Sequence, residues 1–223
     1  MRQAWTRRPG RRLTLAASIA SLALVEGAPV AAAAVTSLPR LMSAELGAVS
    51  LNAQSGGIAA CDVTLDATGS VRAVALVQDM APFGEVLARS LPGWRFEPAR
   101  EGGQAVSSRV LVLWVARPPA TSFAAPGPPR YKGTVAPPAL PWPTSAIFPP
   151  YPPNALGSGY VVLESDISED GQVTATRRLS SPTAFDGAAD GAVRQWRFRA
   201  AEDATRPVAS RAVVVFSFVG TTR

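Results

Sequence analysis

Residues 159–173 decide the fold of this chain and read GYVVLESDISEDGQV. Apolar and charged side chains alternate along the first part of this stretch, and a period of two residues predicts a β-strand with one buried and one solvated face. The alternating positions are Val161, Leu163 and Ile167 on the buried face and Glu164 and Asp166 on the other. Asp170-Gly171 then supplies the residues of a tight turn, and residues 173–179 predict the second strand of a hairpin.

A helix and a last strand are predicted after the hairpin. Beyond Ser181-Pro182-Thr183, apolar residues recur at the spacing of a single helical face. These residues are Phe185, Ala188, Ala189, Ala192, Val193 and Trp196. Residues 208–218 are rich in valine and phenylalanine, which predicts a long final strand. The order is therefore strand, strand, helix, strand.

The same order is predicted a second time, earlier in the chain, at a constant offset. Gly69-Ser70-Val71 matches Gly171-Gln172-Val173, and Trp94-Arg95-Phe96 matches Trp196-Arg197-Phe198, each pair 102 positions apart. Low-complexity apolar segments do not repeat such a triplet at one fixed distance from a turn. The sequence thus indicates an internal duplication, with copy one at residues 50–117 and copy two at residues 149–219.

Residues 1–34 predict an export signal. An arginine-rich start precedes the charge-free apolar run 13–25, which is too short to cross a bilayer because a spanning helix needs about 20 residues. We expect cleavage within residues 31–34, with an uncleaved membrane anchor as the alternative. Residues 35–49 form a lead segment, and the proline-rich residues 118–148 predict a semi-rigid linker between the copies.

Composition limits the chemistry that is available to the chain. It has no histidine and a single cysteine, Cys61, which excludes a Ser-His-Asp triad, a Cys-His dyad, a histidine zinc site and an intramolecular disulfide. The pairs Glu164/Asp166 and Asp186/Asp190 are interpreted as solvated surface carboxylates. We therefore expect no enzyme, no catalytic residue, no cofactor and no metal site. The net charge of +6 lies mostly in residues 1–34, so no nucleic-acid partner is expected.

A series of short motifs runs through residues 149–219: Tyr151-Pro152, Asn154-Ala155, Asp170-Gly171-x-Val173, Phe185-Asp186-x-Ala188-Ala189, Trp196-Arg197-Phe198 and Phe216-x-Phe218. With these motifs, the range resembles the C-terminal domain of TonB-type energy transducers. Copy one resembles a diverged version of the same domain, which lacks the Tyr-Pro pair found at the start of copy two. The resemblance implies an α+β fold of two small domains, each a three-stranded antiparallel sheet covered by one helix. It also implies a periplasmic location and the binding of an extended peptide from an outer-membrane or other envelope protein, which joins the sheet as a strand.

The chain departs from the transducers at its N-terminus. Their uncleaved membrane helix carries a Ser-x-x-x-His pattern, whereas this chain has no histidine. We therefore expect a secreted periplasmic protein that keeps the recognition module, twice, without the motor contact. The alternatives are a membrane-anchored transducer, which requires an uncleaved signal, and an envelope structural protein that binds peptidoglycan through the basic linker.

The last strand of copy two is the predicted binding site. One helix covers only one face of a three-stranded sheet, so either the copies pack together across their open faces or this strand is an edge that accepts a peptide. We favour the edge. Its residues are Arg211, Ala212, Val213, Val214, Val215, Phe216, Ser217 and Phe218, and the candidate ligand contacts are Tyr151, Arg197 and Arg199. Such edges also allow self-association.

Overall fold

The hairpin, the helix and the long last strand form in both copies, as predicted. The computed structural model describes residues 35–47, 56–116, 138–180 and 183–220. The predicted signal lies outside the described residues, as does most of the predicted linker. Within the described ranges, no helix has the length and apolar character needed to cross a bilayer.

The elements of the first half run from the lead segment to the end of copy one. They are β1 (Val35–Ser37), β2 (Arg40–Ser43), β3 (Gly57–Leu65), β4 (Val71–Gln78), α1 (Phe83–Ser90), β5 (Arg95–Glu97), β6 (Ala99–Glu101), β7 (Gln104–Val106) and β8 (Ser108–Ala116). The pair Pro92-Gly93 ends α1 in a single 3₁₀ turn, Leu91–Gly93.

The second half repeats this succession after residue 138. Its elements are β9 (Trp142–Ser145), β10 (Gly159–Ile167), β11 (Val173–Arg178), α2 (Asp186–Val193), β12 (Arg197–Arg199), β13 (Ala201–Asp203), β14 (Arg206–Val208) and β15 (Ser210–Phe218). The predicted α+β fold is thus confirmed.

A glycine in each hairpin turn fixes the position of the Trp-Arg-Phe segment. Gly69 and Gly171 have φ values of 81° and 74°, a region that residues with a side chain rarely adopt. A Cβ at Gly171 would lie 1.8 Å from the carbonyl oxygen of Phe198, and the same clash would occur between Gly69 and Phe96. This close approach explains why the glycine and the triplet recur at a fixed spacing.

The two copies share one sheet. Six strands run in the order β11-β10-β15-β8-β3-β4. The central pair, β15 and β8, is parallel, with Ala212 opposite Leu111 and Ser217 opposite Ala116, while the neighbouring pairs are antiparallel. The copies therefore pack together edge to edge, not across their open faces.

This edge pairing places the two helices over opposite faces of the sheet. Along β15, Val213 and Val215 lie in the buried cluster that contains Trp94 of copy one. The alternate residues Val214 and Phe216 lie in the cluster that contains Trp196 of copy two. Each helix thus shares its core with strands of the other copy, which covers the apolar faces that a single copy would expose.

The extended segment before each copy packs onto the copy that follows it. β2 pairs with β5, and β9 pairs with β12. The indole Nε1 of Trp94 donates to the carbonyl oxygen of Glu45 at 2.9 Å, and that of Trp196 donates to Ile147 at the same distance. Donors and acceptors are 102 residues apart, so the structural correspondence begins before residues 50 and 149.

Candidate functional site

The predicted binding strand, β15, is an interior strand of the sheet. It pairs with β10 over its whole length, from Ser210 opposite Ile167 to Phe218 opposite Gly159, and with β8 on its other side. The expectation that residues 211–218 form an open edge is therefore wrong, because the argument treated the copies as separate sheets. Peptide binding at these residues stays a prediction, and it now requires that β8 leave the sheet.

Glu164 of β10 is not solvated, contrary to the sequence interpretation, whereas the side chain of Asp166 on the same strand is 38% exposed. Glu164 is only 4% exposed. Its oxygens lie 2.8 Å from Arg177 and 3.3 Å from Arg211, and Arg211 also bonds Asp166 at 2.6 Å. Since two arginines surround Glu164, this cluster is a neutralised ion-pair network and not a free acid–base pair.

The same network holds the lead segment against copy two. The backbone N–H of Leu41 donates to Glu164 at 2.6 Å, and Arg177 donates to the carbonyl oxygen of Leu41 at 2.6 Å. Arg211 donates to the carbonyl oxygen of Pro39 at 2.9 Å. Leu41 itself is fully buried in the cluster of copy one. The lead segment therefore joins the two copies, and β10, β11 and β15 supply the charged side chains that hold it.

The candidate ligand contacts lie on two separate segments, Tyr151 before β10 and the two arginines on β12, and all three bond the chain itself. The hydroxyl of Tyr151 donates to the carbonyl oxygen of Gly157 at 2.6 Å. Arg197 donates to the carbonyl oxygen of Trp196 at 2.9 Å, and Arg199 donates to that of Leu140 at 3.2 Å. Arg197 and Arg199 flank the buried Phe198 on β12. Each of the three side chains thus bonds a backbone carbonyl oxygen of the chain; ligand contact by them stays a prediction.

The second carboxylate pair lies at the surface of α2 and is paired with arginines. Asp186 forms an ion pair with Arg178, and Asp190 forms one with Arg194 at 2.8 Å. Burial would raise the pKa of Asp190, but hydrogen bonds from Arg194 and Thr176 outweigh it and lower the pKa. A carboxylate that stays ionised in this way is a poor proton donor at neutral pH.

Cys61 is a buried residue of copy one. The thiol is buried, and burial together with the nearby Asp79 and Asp62 raises its pKa to about 12. The neutral thiol is not a nucleophile at physiological pH. Across the described ranges, no group of three His, Cys, Asp or Glu side chains is placed to hold a metal ion.

A groove that sequence reasoning missed lies at the start of β10. It has a volume of about 520 Å³ and separates residues 42–45 of the lead segment from the start of β10. Its lining residues are Met42, Ser43, Ala44, Glu45, Gly159, Tyr160, Val162, Leu179, Ser180 and Thr183. Met42 and Tyr160 are 61% and 44% exposed, so two large apolar side chains flank an open groove.

The described pairing between β10 and β11 ends beside this groove. β11 pairs with β10 only from Leu163 to Ile167, and the backbone bond from Leu179 N–H to the carbonyl oxygen of Val162, 2.9 Å long, continues the pairing by one step. The N–H and C=O groups of alternate residues in a strand point to the same side. Those of Tyr160 therefore point, like those of Val162, toward the groove and away from β15.

Comparison with protein families gives one match. Residues 149–219 match the family model described as the Gram-negative bacterial TonB protein C-terminal, the range over which the sequence resembles that domain. A search of curated proteins found no significant match. The matched range contains β10, β11, α2 and β15, the full set of elements that the resemblance implies.

Proposed function

We propose that this protein is a non-enzymatic envelope component of TonB-associated transport that binds an extended peptide segment of another envelope protein by strand addition. The observation that carries the proposal is the coincidence of the family match over residues 149–219 with a complete strand, strand, helix, strand unit. That domain type acts between the inner-membrane motor and outer-membrane receptors, so the partner class is an envelope protein.

Copy one is a diverged duplicate of the same domain. Three correspondences at an offset of 102 residues support this: the left-handed turn glycines Gly69 and Gly171, the tryptophan bonds to Glu45 and Ile147, and the pairing of Ser70 with Arg95 and of Gln172 with Arg197. Gly69 and Gly171 each lie under the backbone of the Trp-Arg-Phe segment, a contact that chance similarity of apolar segments does not reproduce.

Strand addition is supported by the way in which the chain completes its own sheet. β8 of copy one pairs along the free side of β15, so the edge that a lone copy two would offer to a peptide is filled by the other copy. A partner peptide would then pair with one of the outer strands of the six-stranded sheet, β4 or β11, or displace β8 from β15.

Energy transduction from an anchored N-terminus is disfavoured by the sequence. The Ser-x-x-x-His pattern of the transducers needs a histidine, and this chain has none. The envelope structural protein alternative rests on the basic residues of the predicted linker, which lie outside the described residues.

Fractionation with N-terminal sequencing tests the location. We expect the protein in the periplasmic fraction with a mature start at or just before Val35. A start at Met1 or Arg2 in the membrane fraction would contradict the proposal and support the anchored transducer.

Peptide titration tests the binding mode. The probes are ten-residue peptides taken from the periplasmic N-terminal segments of the TonB-dependent receptors of the same bacterium, followed by amide chemical shifts of the labelled protein. We expect shifts along a strand with open backbone groups, and we expect loss of binding when alternate residues of the peptide are replaced by proline, which removes its donors. Absence of shifts with every receptor segment would refute the proposed function.

A further inference from the structure

The two outer strands of the six-stranded sheet differ in charge. β4 is the outer strand in copy one, and β11 is the outer strand in copy two. In the middle of these strands the two hairpins share one register, at the offset of 102 residues. β11 has Arg177 and Arg178 at the positions where β4 has Ala75 and Leu76.

The arginines of β11 are held in place by contacts within the chain. Arg177 donates to Glu164 at 2.8 Å and to the carbonyl oxygen of Leu41 at 2.6 Å, and Arg178 forms an ion pair with Asp186. Charged side chains on an outer strand are a common means by which proteins prevent pairing with a strand of another chain. The outer strand of copy two is therefore protected against such pairing.

β4 lacks this protection. Among the described strands of the sheet, β4 pairs with β3 alone. Residues 73–78 carry no charge, and Ala73, Ala75 and Leu76 are exposed. Residues 73–76 pair with β3 without a shift of register, so no bulge bends the strand there. A regular, uncharged and exposed outer strand is a template for pairing with another chain.

The two ends of β4 carry opposite charges. Arg72 lies at the start of the strand with a side chain that is 72% exposed, and the exposed Asp79 directly follows its end. Two copies of β4 that run antiparallel about a twofold axis bring the Arg72 end of each strand alongside the Asp79 end of the other. Opposite charges across a strand pair are stabilising. β4 is therefore complementary to itself, as an isologous contact requires.

We propose that β4 pairs antiparallel with β4 of a second copy of this chain, about a twofold axis near Ala75, and so joins two six-stranded sheets into one. The small side chains of the two Ala75 residues face each other at the axis, and the exposed Leu76 of each chain gains a neighbour. One strand pair is a small interface, so the dimer is weak and depends on concentration. It goes beyond the proposed function, because it offers two copies of residues 149–219 to envelope partners.

Sedimentation velocity of the whole exported protein, from about 1 µM to about 1 mM, tests the dimer. We expect the sedimentation coefficient to rise with concentration. Ala75→Arg is the decisive variant, because it places two like charges opposite each other at the axis, as an exposed position allows. It should raise the dimer Kd by about fivefold or more. Ala175→Arg, at an exposed alanine of β11, is the matched control and should leave the Kd unchanged.

Cysteine cross-linking locates the contact. In Ala75→Cys the two new thiols lie opposite each other across the axis, so oxidation by oxygen with copper phenanthroline should give a covalent dimer on a non-reducing gel. Cys61 does not interfere, because its thiol is buried and its pKa is raised to about 12. Ala175→Cys should stay a monomer under the same conditions.

The possible results separate the dimer from the proposed function. A sedimentation coefficient that does not rise with concentration, or an equal Kd in Ala75→Arg and the wild type, overturns the pairing of β4. Faster cross-linking of Ala175→Cys than of Ala75→Cys assigns the contact to β11 and overturns it as well. If a monomeric wild type still binds receptor peptides, the proposed function stands and the dimer alone is refuted.

Discussion

Replacing Trp196 by alanine should weaken both copies at once. The indole is fully buried, its ring centroid lies 5.8 Å from that of Phe216 on β15, and its Nε1 donates to Ile147. Deleting a buried tryptophan costs about 3–5 kcal/mol, out of about 5–15 kcal/mol for a typical folded protein. Because β15 pairs with β8 in the middle of the sheet, this loss should be shared by the whole sheet.

The assay is thermal unfolding combined with amide hydrogen exchange. For a unit of this size we expect one unfolding transition, lowered by roughly 6–20 °C. Exchange protection should fall by a similar free energy in β10 of copy two and in β3 of copy one. Exchange in both strands is informative because β10 and β3 flank the central pair of the sheet, β15 and β8.

Trp94→Ala is the matched control, since Trp94 is equally buried in copy one and makes the equivalent bond to Glu45. It should give the same single transition and the same loss of protection in both strands. The reasoning is refuted if Trp196→Ala lowers protection in β10 alone and Trp94→Ala lowers it in β3 alone, because the copies would then unfold as independent domains.

Three further outcomes test individual features of the structure. Glu164→Ala should lower the free energy of unfolding, measured by urea titration, by about 2–3 kcal/mol. This is somewhat below the value for a fully buried ion pair, because Arg177 is about a third exposed. The control Glu85→Ala, at an exposed ion pair on α1, should change the free energy of unfolding by less than about 0.5 kcal/mol. Gly171→Ala should destabilise through the clash with Phe198, while alanine at Gly187, which has open space in α2, should stabilise by about 0.5–1 kcal/mol. Since burial raises the pKa of Cys61 to about 12, iodoacetamide should label it at pH 8 only after unfolding; rapid labelling of the folded protein would show that the thiol is accessible.

The local features of each copy follow from the sequence alone. Alternation at Val161, Leu163 and Ile167 predicts the strand, and the apolar face from Phe185 to Trp196 predicts the helix, because both periods are set by backbone geometry. The turn glycine Gly171 is likewise required by its local conformation. These patterns depend on a few neighbouring residues, so they can be interpreted without knowing which other elements pack against them.

The tertiary structure decided which strand edges stay open and what covers each face. Every strand offers the same backbone N–H and C=O groups at its edges whatever its side chains are, so the pattern of β15 could not show that β8 would pair with it. Alternation placed Glu164 on the face away from Leu163, but it could not reveal that the lead segment and Leu41 lie over that face.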